Sequence, residues 1–245
     1  TTATIQTTTE KYMEPITFMP AYVAAVPGHF NPEVEVFRGY WMISWFKKEF
    51  CHKEVAEARR LGIPPEELMN EQLADIPPGC QGLMLQPYWG PGLRTPEAKG
   101  AIVGFGDVHT RAHLYRAIIE GINFALMDGR DKIEKSSRKK IEGIMVSGGG
   151  SQSDMVCQIT ADMFGLPVSR GRTYETSGLG AAIIGYVGTG AFPSYGAAIH
   201  SMVHYDQVFT PDLTHAGAYR SLYSRVYKRL YPGLRGLYRQ LDGLH

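Results

Sequence analysis

Residues 143–190 read GIMVSGGGSQSDMVCQITADMFGLPVSRGRTYETSGLGAAIIGYVGTG. A short apolar run at 144–146 is followed by three consecutive glycines at 148–150 and by a helical pattern from Ser151. This order predicts a strand, a tight turn and the N-terminus of a helix. Glycine removes the Cβ atoms that keep a ligand away from the backbone, and the free N–H groups of a helix N-terminus attract anions. The turn is therefore predicted to bind a phosphate.

The rest of this stretch predicts two helices around a short strand. Met155, Ile159 and Met163 fall on one stripe of the first helix. Residues 166–168 (Leu-Pro-Val) predict an edge strand, because proline cannot serve a central ladder. The second helix begins near 176–177 and is rich in glycine, and each glycine weakens a helix by up to about 1 kcal/mol relative to alanine. We expect this loss of helix stability to be offset because glycine lets the helix backbone lie close to another element or to a ligand.

The N-terminal third combines strands with helices. Residues 1–37 contain threonine-rich and β-branched runs separated by turn residues, and the simplest arrangement of these strands is an antiparallel meander. A helix is predicted over 40–50. The Pro-Pro-Glu-Glu start signal at 64–67 and the charged residues before it predict two more helices within 51–76, which we interpret as a helical insertion.

The remaining segments complete an α/β layer fold. Residues 83–85 predict a short buried strand, and 87–100 form a long Gly/Pro loop that is functional or mobile. Apolar residues at helical spacing predict a long helix over 110–135 that is buried on more than one side. A helical tail follows at 215–241, kinked or interrupted at 232–233. This alternation of strands and helices indicates α/β layers, and it argues against a β-sandwich or a helix bundle.

The composition favours a protein that binds or converts small molecules. The chain has 245 residues and a formal net charge of +1, which gives no sign of a nucleic-acid footprint or a basic membrane patch. Its three cysteines are far apart, so neither a disulfide framework nor a zinc site is indicated. The longest apolar stretch, 178–192, is too short to cross a membrane, and 1–9 lacks the features of a signal peptide. A cytoplasmic location is expected. Because the chain starts at Thr1 without a methionine, we expect it to be part of something longer.

Three kinds of glycine-rich phosphate site compete for the turn. A P-loop requires Gly-Lys followed by Ser or Thr, and this string does not occur in the sequence. A dinucleotide fingerprint requires a third glycine where this chain has Ser153. The third kind, found in actin-like sugar kinases, places a strand and a Gly-Gly turn against the nucleotide, with a second Gly/Ala-rich helix packed behind.

The sequence resembles a known family, the FGGY carbohydrate kinases, over nearly the whole chain. The string GAIVGFGDVHTRAHLYRAIIEGINF at 100–124 is similar to the family's C-terminal signature, with Phe105 as a visible departure. Further similar blocks occur at 92–96 (GLRTP), at 148–162 (GGGSQSDMVCQITAD), at 175–182 (ETSGLGAA) and at 209–212 (FTPD).

The resemblance implies a fold and an activity. It implies an α/β domain of the actin-like ATPase and ribonuclease H-like class, with a mixed sheet flanked by helices, spanning 1–245 as the C-terminal, nucleotide-binding domain. Such a domain is one lobe of an ATP-dependent sugar or polyol kinase that uses ATP and Mg²⁺. The sugar or polyol would bind through an N-terminal lobe that is absent from the chain. The catalytic aspartate would also lie upstream, so no catalytic residue and no metal ligand is assigned here, and the fragment is expected to be inactive alone.

The resemblance also assigns residues to the nucleotide. Thr1 and Thr2 fall at the family's phosphate loop, and Gly148, Gly149 and Gly150 align with the turn that lies along the nucleotide. Ser153 stands where the family often has an asparagine near the adenine. Either Gly39 or Tyr40 takes the position of a nucleotide-contacting glycine, depending on a one-residue shift.

Structural roles compete with functional ones at several of the polar residues. Ser151 with Asp154 has the pattern of a capping box, which does not exclude backbone contact with a ligand. His109 and His113 are spaced like a metal pair, but capping and surface hydrogen bonding are favoured because no third ligand is apparent. Glu120 and Asp128 on the long helix could be taken for acid/base carboxylates, but solvation or pairing with Arg116 or Lys132 is favoured. Arg94, in the long loop, either reaches the cleft or is an exposed loop charge.

Two other functions stay open at this point. The first is a non-catalytic, nucleotide-binding or scaffolding module of the actin-like fold, which Tyr40 and Ser153 motivate. The second is a dinucleotide-dependent enzyme. A separated lobe would expose an apolar face, so self-association into an oligomer is an expectation as well.

Overall fold

Four short strands at the N-terminus form two antiparallel pairs, one nested inside the other. The computed structural model describes residues 2–90, 92 and 95–243. The strands are β1 (Ala3–Gln6), β2 (Tyr22–Val23), β3 (Phe30–Asn31) and β4 (Glu33–Val36). Strand β2 pairs with β3, and β4 returns to pair with β1, with Ala3 opposite Val36. The predicted meander is therefore wrong. The pairing of β4 with β1 places Ala3, Val34 and Val36 in the core, where cross-strand neighbours stabilise one another.

Three helices follow, as predicted. They are α1 (Trp41–Phe50), α2 (His52–Leu61) and α3 (Pro65–Glu71), and α3 begins with proline at its first position. The segment 51–76 is packed into the main core, because Met69 and Leu73 are fully buried there. Phe46 of α1 stacks on Tyr115 in the same core, which agrees with a structural role for the aromatic residues of α1.

One long helix forms the centre of the domain. Strands β5 (Met84–Gln86) and β6 (Ala101–Val103) pair antiparallel and precede α4 (Arg111–Ser137). Helix α4 is buried on more than one side, as predicted, with Ile118, Ile119 and Ile122 wholly inaccessible. At Gly121 a Cβ atom would lie only 2.5 Å from the carbonyl oxygen of Leu85. Only glycine lets β5 approach α4 this closely.

A three-stranded mixed sheet lies in the second half of the chain. In chain order this part contains β7 (Ile144–Val146), α5 (Asp154–Phe164), β8 (Val168–Gly171), α6 (Thr176–Gly188), α7 (Tyr195–Met202) and β9 (Tyr205–Phe209). Strand β8 pairs parallel with β7 and antiparallel with β9. The predicted edge strand is therefore wrong, since β8 is central. The reason is that Pro167 precedes the strand, where its carbonyl accepts a hydrogen bond from the Ile144 N–H at 2.9 Å.

The C-terminal helices close over the core. Helix α8 (Leu213–Leu222) leads through a π-helical turn at Tyr223–Tyr227 into α9 (Lys228–Asp242), which continues through Pro232 without interruption. Tyr223 and Tyr227 stack on Phe124 of α4. Within the part of the chain that the structure describes, no helix combines the length and the apolar character needed to cross a membrane.

Candidate functional site

The three glycines lie in a turn that leaves open space beside the backbone. Gly148 follows β7 with a positive φ of 83°, and Gly149–Gln152 form a 3₁₀ turn. We call residues 148–152 the glycine turn. A Cβ atom built on Gly148 or Gly149 would meet no atom of the described structure within 4 Å. Among the described residues, no group accepts a hydrogen bond from the N–H of Gly149 or Gly150. Exposed N–H groups in front of a helix N-terminus can donate to an anion, so the turn has the donors that an anion needs.

Two serines fix the turn, and the role of Ser151 differs from the prediction. Ser151 donates from its hydroxyl to the Gly148 carbonyl at 2.7 Å, and its N–H donates to the same oxygen at 3.1 Å. Ser153 is the N-cap of α5, because its hydroxyl accepts from the Val156 N–H at 3.2 Å. The predicted Ser151–Asp154 capping box is therefore wrong. The 3₁₀ turn places Ser151 two residues before the N-cap position of α5, and Ser153 takes that role.

Gly39 and Tyr40 connect the start of β1 to the glycine turn. A Cβ atom on Gly39 would lie 2.6 Å from Ala3 Cβ and 2.7 Å from Ala3 N, so Gly39 is pressed against β1. A Cβ atom on Gly150 would lie 3.1 to 3.3 Å from the ring of Tyr40. The structure thus brings residues 39–40, which the sequence assigned to the nucleotide, against both the glycine turn and the start of β1, which directly follows Thr2.

Arg170 is a site residue that the sequence did not reveal. It lies on β8 opposite Val146, and its guanidinium donates to the Ser151 carbonyl at 3.3 Å and to Asp154 at 2.6 Å. Asp154 occupies the first turn of α5 and is well exposed. Because the Arg170 guanidinium offsets the carboxylate beside the turn, the repulsion of an incoming anion is reduced. An arginine in a short strand carries no sequence signal for this role, which depends on the pairing of β7 with β8.

Other candidate residues fall outside this site. Thr2 is exposed and directly precedes β1, whereas Thr1 and Arg94 lie outside the described residues. His109 bonds the Cys80 carbonyl at 3.0 Å, and His113 completes a capping box with Thr110 at the start of α4. Capping and hydrogen bonding are therefore what the two histidines do.

Glu120 is buried and paired with Arg116, which is one of the two expected states. The Glu120 carboxylate accepts from Arg116 Nε at 2.8 Å and from the Tyr219 hydroxyl at 2.6 Å. Asp128 forms an exposed pair with Lys132 at 2.6 Å. The two carboxylates of α4 are thus structural, one in the core and one at the surface.

The glycine turn does not line the cavity beside β4 and α4. Across residues 2–90, 92 and 95–243, no group of three His, Cys, Asp or Glu side chains is arranged to hold a metal ion. A cavity of about 270 Å³ lies instead between the 15–19 segment, β4 and α4, with Tyr88 and Asp128 in its wall. The glycine turn is open to solvent, as one wall of a larger binding site would be.

The comparisons with known proteins identify the family. The family model described as "FGGY family of carbohydrate kinases, C-terminal domain" matches residues 1–189. The chain belongs to the FGGY family of carbohydrate kinases. Among the relatives of this FGGY domain, the uncharacterized sugar kinase YgcE of Escherichia coli (strain K12) is 32% identical over 193 residues, which cover 79% of this chain and 39% of that protein. Xylulose kinase of Lactococcus lactis subsp. lactis (strain IL1403) is 31% identical over 204 residues, which cover 81% of this chain and 38% of that protein.

A solved structure confirms the fold. The crystal structure of ligand-bound xylulose kinase from Lactobacillus acidophilus superposes with a TM-score of 0.77 at 24% identity, covering 98% of this chain and 47% of that one. The predicted α/β, actin-like fold with a mixed sheet flanked by helices is therefore confirmed. The FGGY domain spans about two fifths of the length of the curated relatives it matches.

Proposed function

We propose that this FGGY domain is the nucleotide-binding lobe of an ATP-dependent carbohydrate kinase, and that the glycine turn binds the nucleotide phosphates. The observation that carries the proposal is the open turn. Gly148 and Gly149 face no atom within 4 Å, and the turn leads directly into the N-terminus of α5. Unpartnered N–H groups and the positive end of a helix dipole favour a phosphate at this place.

Each remaining residue of the proposed site has a physical role. The backbone at Gly148–Gly150 lies along the nucleotide, where side chains would obstruct it. Gly39 is pressed against Ala3 at the start of β1 and directly precedes Tyr40, and the family resemblance assigns the preceding Thr1 and Thr2 to the phosphates. Ser153 holds the first turn of α5 through its hydroxyl, at the position where the family resemblance places a residue near the adenine.

The chemistry is shared between this lobe and the rest of the enzyme. We assign Mg²⁺ to the nucleotide phosphates, since the described part of the chain offers no cluster of ligands of its own. The acceptor is a hydroxyl of a sugar or polyol held by a second lobe, and an aspartate outside the 245 residues takes its proton. Because phosphoryl transfer depends mainly on positioning and charge stabilisation, this lobe alone should bind nucleotide weakly and transfer no phosphate. We place the enzyme in the cytoplasm.

A calorimetric titration of ADP with magnesium tests the proposal. Wild type should bind, and Gly149→Asp should not, because its carboxylate would occupy and repel the phosphate position. The free protein itself has room for this side chain, and Gly149 has no positive φ, so the variant should fold.

Gly217→Asp is the matched control. Gly217 is an exposed glycine of α8 that also faces no atom within 4 Å, so the control adds the same charge far from the turn. It should bind ADP as wild type does. Equal binding by Gly149→Asp and wild type would show that the turn does not contact the phosphates.

A second candidate is a non-catalytic module of the same fold. The observation in its favour is that the Tyr40 ring lies against Gly150, so that this part of the turn is less open than Gly148 and Gly149. The titration separates the two functions in part: absence of any ADP or ATP binding by wild type would favour a scaffolding role. Binding of NAD in preference to ADP would instead favour a dinucleotide enzyme. Static light scattering tests the expected self-association, for which the exposed Ile184 and Tyr186 of α6 provide an apolar surface.

A further inference from the structure

Tyr40 lies behind the glycine turn and is directed into the protein. It immediately precedes α1, and its ring belongs to the partly buried set that packs against the main core. Three of its ring carbons, Cδ1, Cε1 and Cζ, lie 3.1 to 3.3 Å from the position of a Cβ atom on Gly150. The glycine at 150 therefore lets the turn rest directly on the aromatic ring.

The hydroxyl end of Tyr40 faces a buried polar niche between α4 and α5. Burial raises the pKa of the Tyr40 phenol well above its usual range, and the nearby Cys157 raises it further, while the facing Asn123 and Thr160 side chains oppose the rise. Asn123 is wholly inaccessible, and its Oδ1 has no hydrogen-bond partner among the described residues. The Thr160 hydroxyl donates to the Val156 carbonyl at 2.8 Å. The Tyr40 phenol therefore stays neutral, with Asn123 of α4 and Thr160 of α5 beside it.

The backbone on the other side of Tyr40 is fixed as well. Gly39 donates from its N–H to the Val36 carbonyl at 3.0 Å and is pressed against Ala3 of β1. The Tyr40 ring therefore lies between a hydrogen-bonded backbone segment and the main core, and the glycine turn packs on it at Gly150.

We propose that Tyr40 is a positioning residue that braces Gly150 and so holds the glycine turn in the conformation that accepts a phosphate. The brace acts from behind the turn, and the ring makes no contact with the nucleotide. This inference rests on the proposed function where it concerns affinity, but the support of the turn is a property of the free protein.

Two measurements on the same variants test the brace. Hydrogen exchange of the free protein follows the Gly148 N–H, which donates to Tyr174, and the Ser151 N–H, which donates to Gly148. In Tyr40→Ala these amides should exchange at least about tenfold faster, since removal of the ring frees the turn to open locally. The Kd for ADP should rise about five- to tenfold, which is the size expected when a binding loop must be ordered on binding. Tyr40→Phe keeps the ring and should stay within about twofold of wild type in both measurements.

Tyr238→Ala is the matched control. Tyr238 is a buried tyrosine of α9 whose hydroxyl accepts from Gln86 at 2.7 Å, far from the turn. It should lower the melting temperature without changing exchange at Gly148 and Ser151 or the Kd. If Tyr40→Ala does not fold, Tyr40→Leu replaces it, with faster exchange of the turn still expected.

The outcomes separate this inference from the proposed function. The proposal that Tyr40 braces the turn is wrong if the Gly148 and Ser151 amides exchange at the wild-type rate in Tyr40→Ala. It is also wrong if Tyr238→Ala accelerates their exchange to the same extent. A tighter Kd in Tyr40→Ala would also overturn it, because the ring would then be an obstruction to the nucleotide. Failure of wild type to bind ADP would defeat the proposed function, while the exchange rates of the free protein would still decide whether Tyr40 braces the turn.

Discussion

Glu120→Gln should destabilise the protein far more than the loss of any surface charge on the same helix. The Glu120 carboxylate accepts hydrogen bonds from Arg116 Nε at 2.8 Å, from the Tyr219 hydroxyl at 2.6 Å and from the Gly79 N–H at 3.1 Å. The Arg116 and Glu120 side chains are only 6% and 3% exposed. Through these buried hydrogen bonds, Glu120 connects α4 to Tyr219 of α8 and to Gly79 in the turn before β5.

The magnitude follows from this burial. Removing one partner of a buried ion pair leaves an uncompensated charge, at a cost of about 3 to 5 kcal/mol. The glutamine amide keeps one acceptor oxygen and nearly the same volume, so we expect the low end, about 3 kcal/mol. The matched control is Asp128→Asn, which breaks the exposed Asp128–Lys132 pair at the same i, i+4 spacing. That pair should be worth only about 0.3 to 0.5 kcal/mol.

Urea unfolding followed by circular dichroism measures both variants. The midpoint of Glu120→Gln should fall sharply, whereas that of Asp128→Asn should stay near wild type. Adding Arg116→Met to Glu120→Gln should cost less than the sum of the single variants, because it removes the stranded charge. A loss for Glu120→Gln no larger than that for Asp128→Asn would refute the reasoning.

Three further predictions address packing, pH and charge. Gly121→Ala should cost about 1 to 3 kcal/mol despite the better helix propensity of alanine, because its Cβ would lie 2.5 Å from the Leu85 carbonyl; Gly217→Ala in the exposed α8 should be neutral or stabilising in the same urea assay. Hydrogen bonding to Arg235, followed by backbone and Tyr231 hydrogen bonds, lowers the pKa of Glu97 to about 2. Its stabilising contribution should be complete above the usual glutamate pKa of about 4.3 and fade as pH falls toward 2, and Glu97→Gln should remove this part of the acid sensitivity in pH-dependent melting curves. Asp154→Asn should tighten ADP binding about two- to threefold at low salt, with the gain shrinking as salt is added; no change at low salt would mean that Asp154 does not act on the ligand.

Local sequence signals predicted the helices and the glycine turn well. Helix α4 was predictable because its apolar residues repeat at helical spacing, and the turn because three glycines follow a short apolar run. The family resemblance, which the comparisons confirm, supplied the fold. None of these required knowledge of which strands pair.

Features that depend on pairing and exact spacing could not be predicted. Strand β4 pairs with β1 because this pairing buries Val34 and Val36, and the sequence alone does not show which strands pair. Pro167 suggested an edge strand, but it lies before the first residue of β8. The pattern of Ser151 and Asp154 fits a capping box, but a 3₁₀ turn shifts the cap to Ser153. Arg170 reaches the turn only because β8 lies beside β7.

The backbone amides of the glycine turn provide the most direct test of the account. In a titration of isotope-labelled protein with ADP and magnesium, followed by two-dimensional NMR, the Gly149 and Gly150 N–H signals should move downfield and saturate with the binding isotherm, since these unpartnered donors would then bond phosphate oxygens. The Gly217 signal, in α8, should not move. Saturable binding that leaves Gly149 and Gly150 unchanged would contradict the claim that this turn binds the nucleotide.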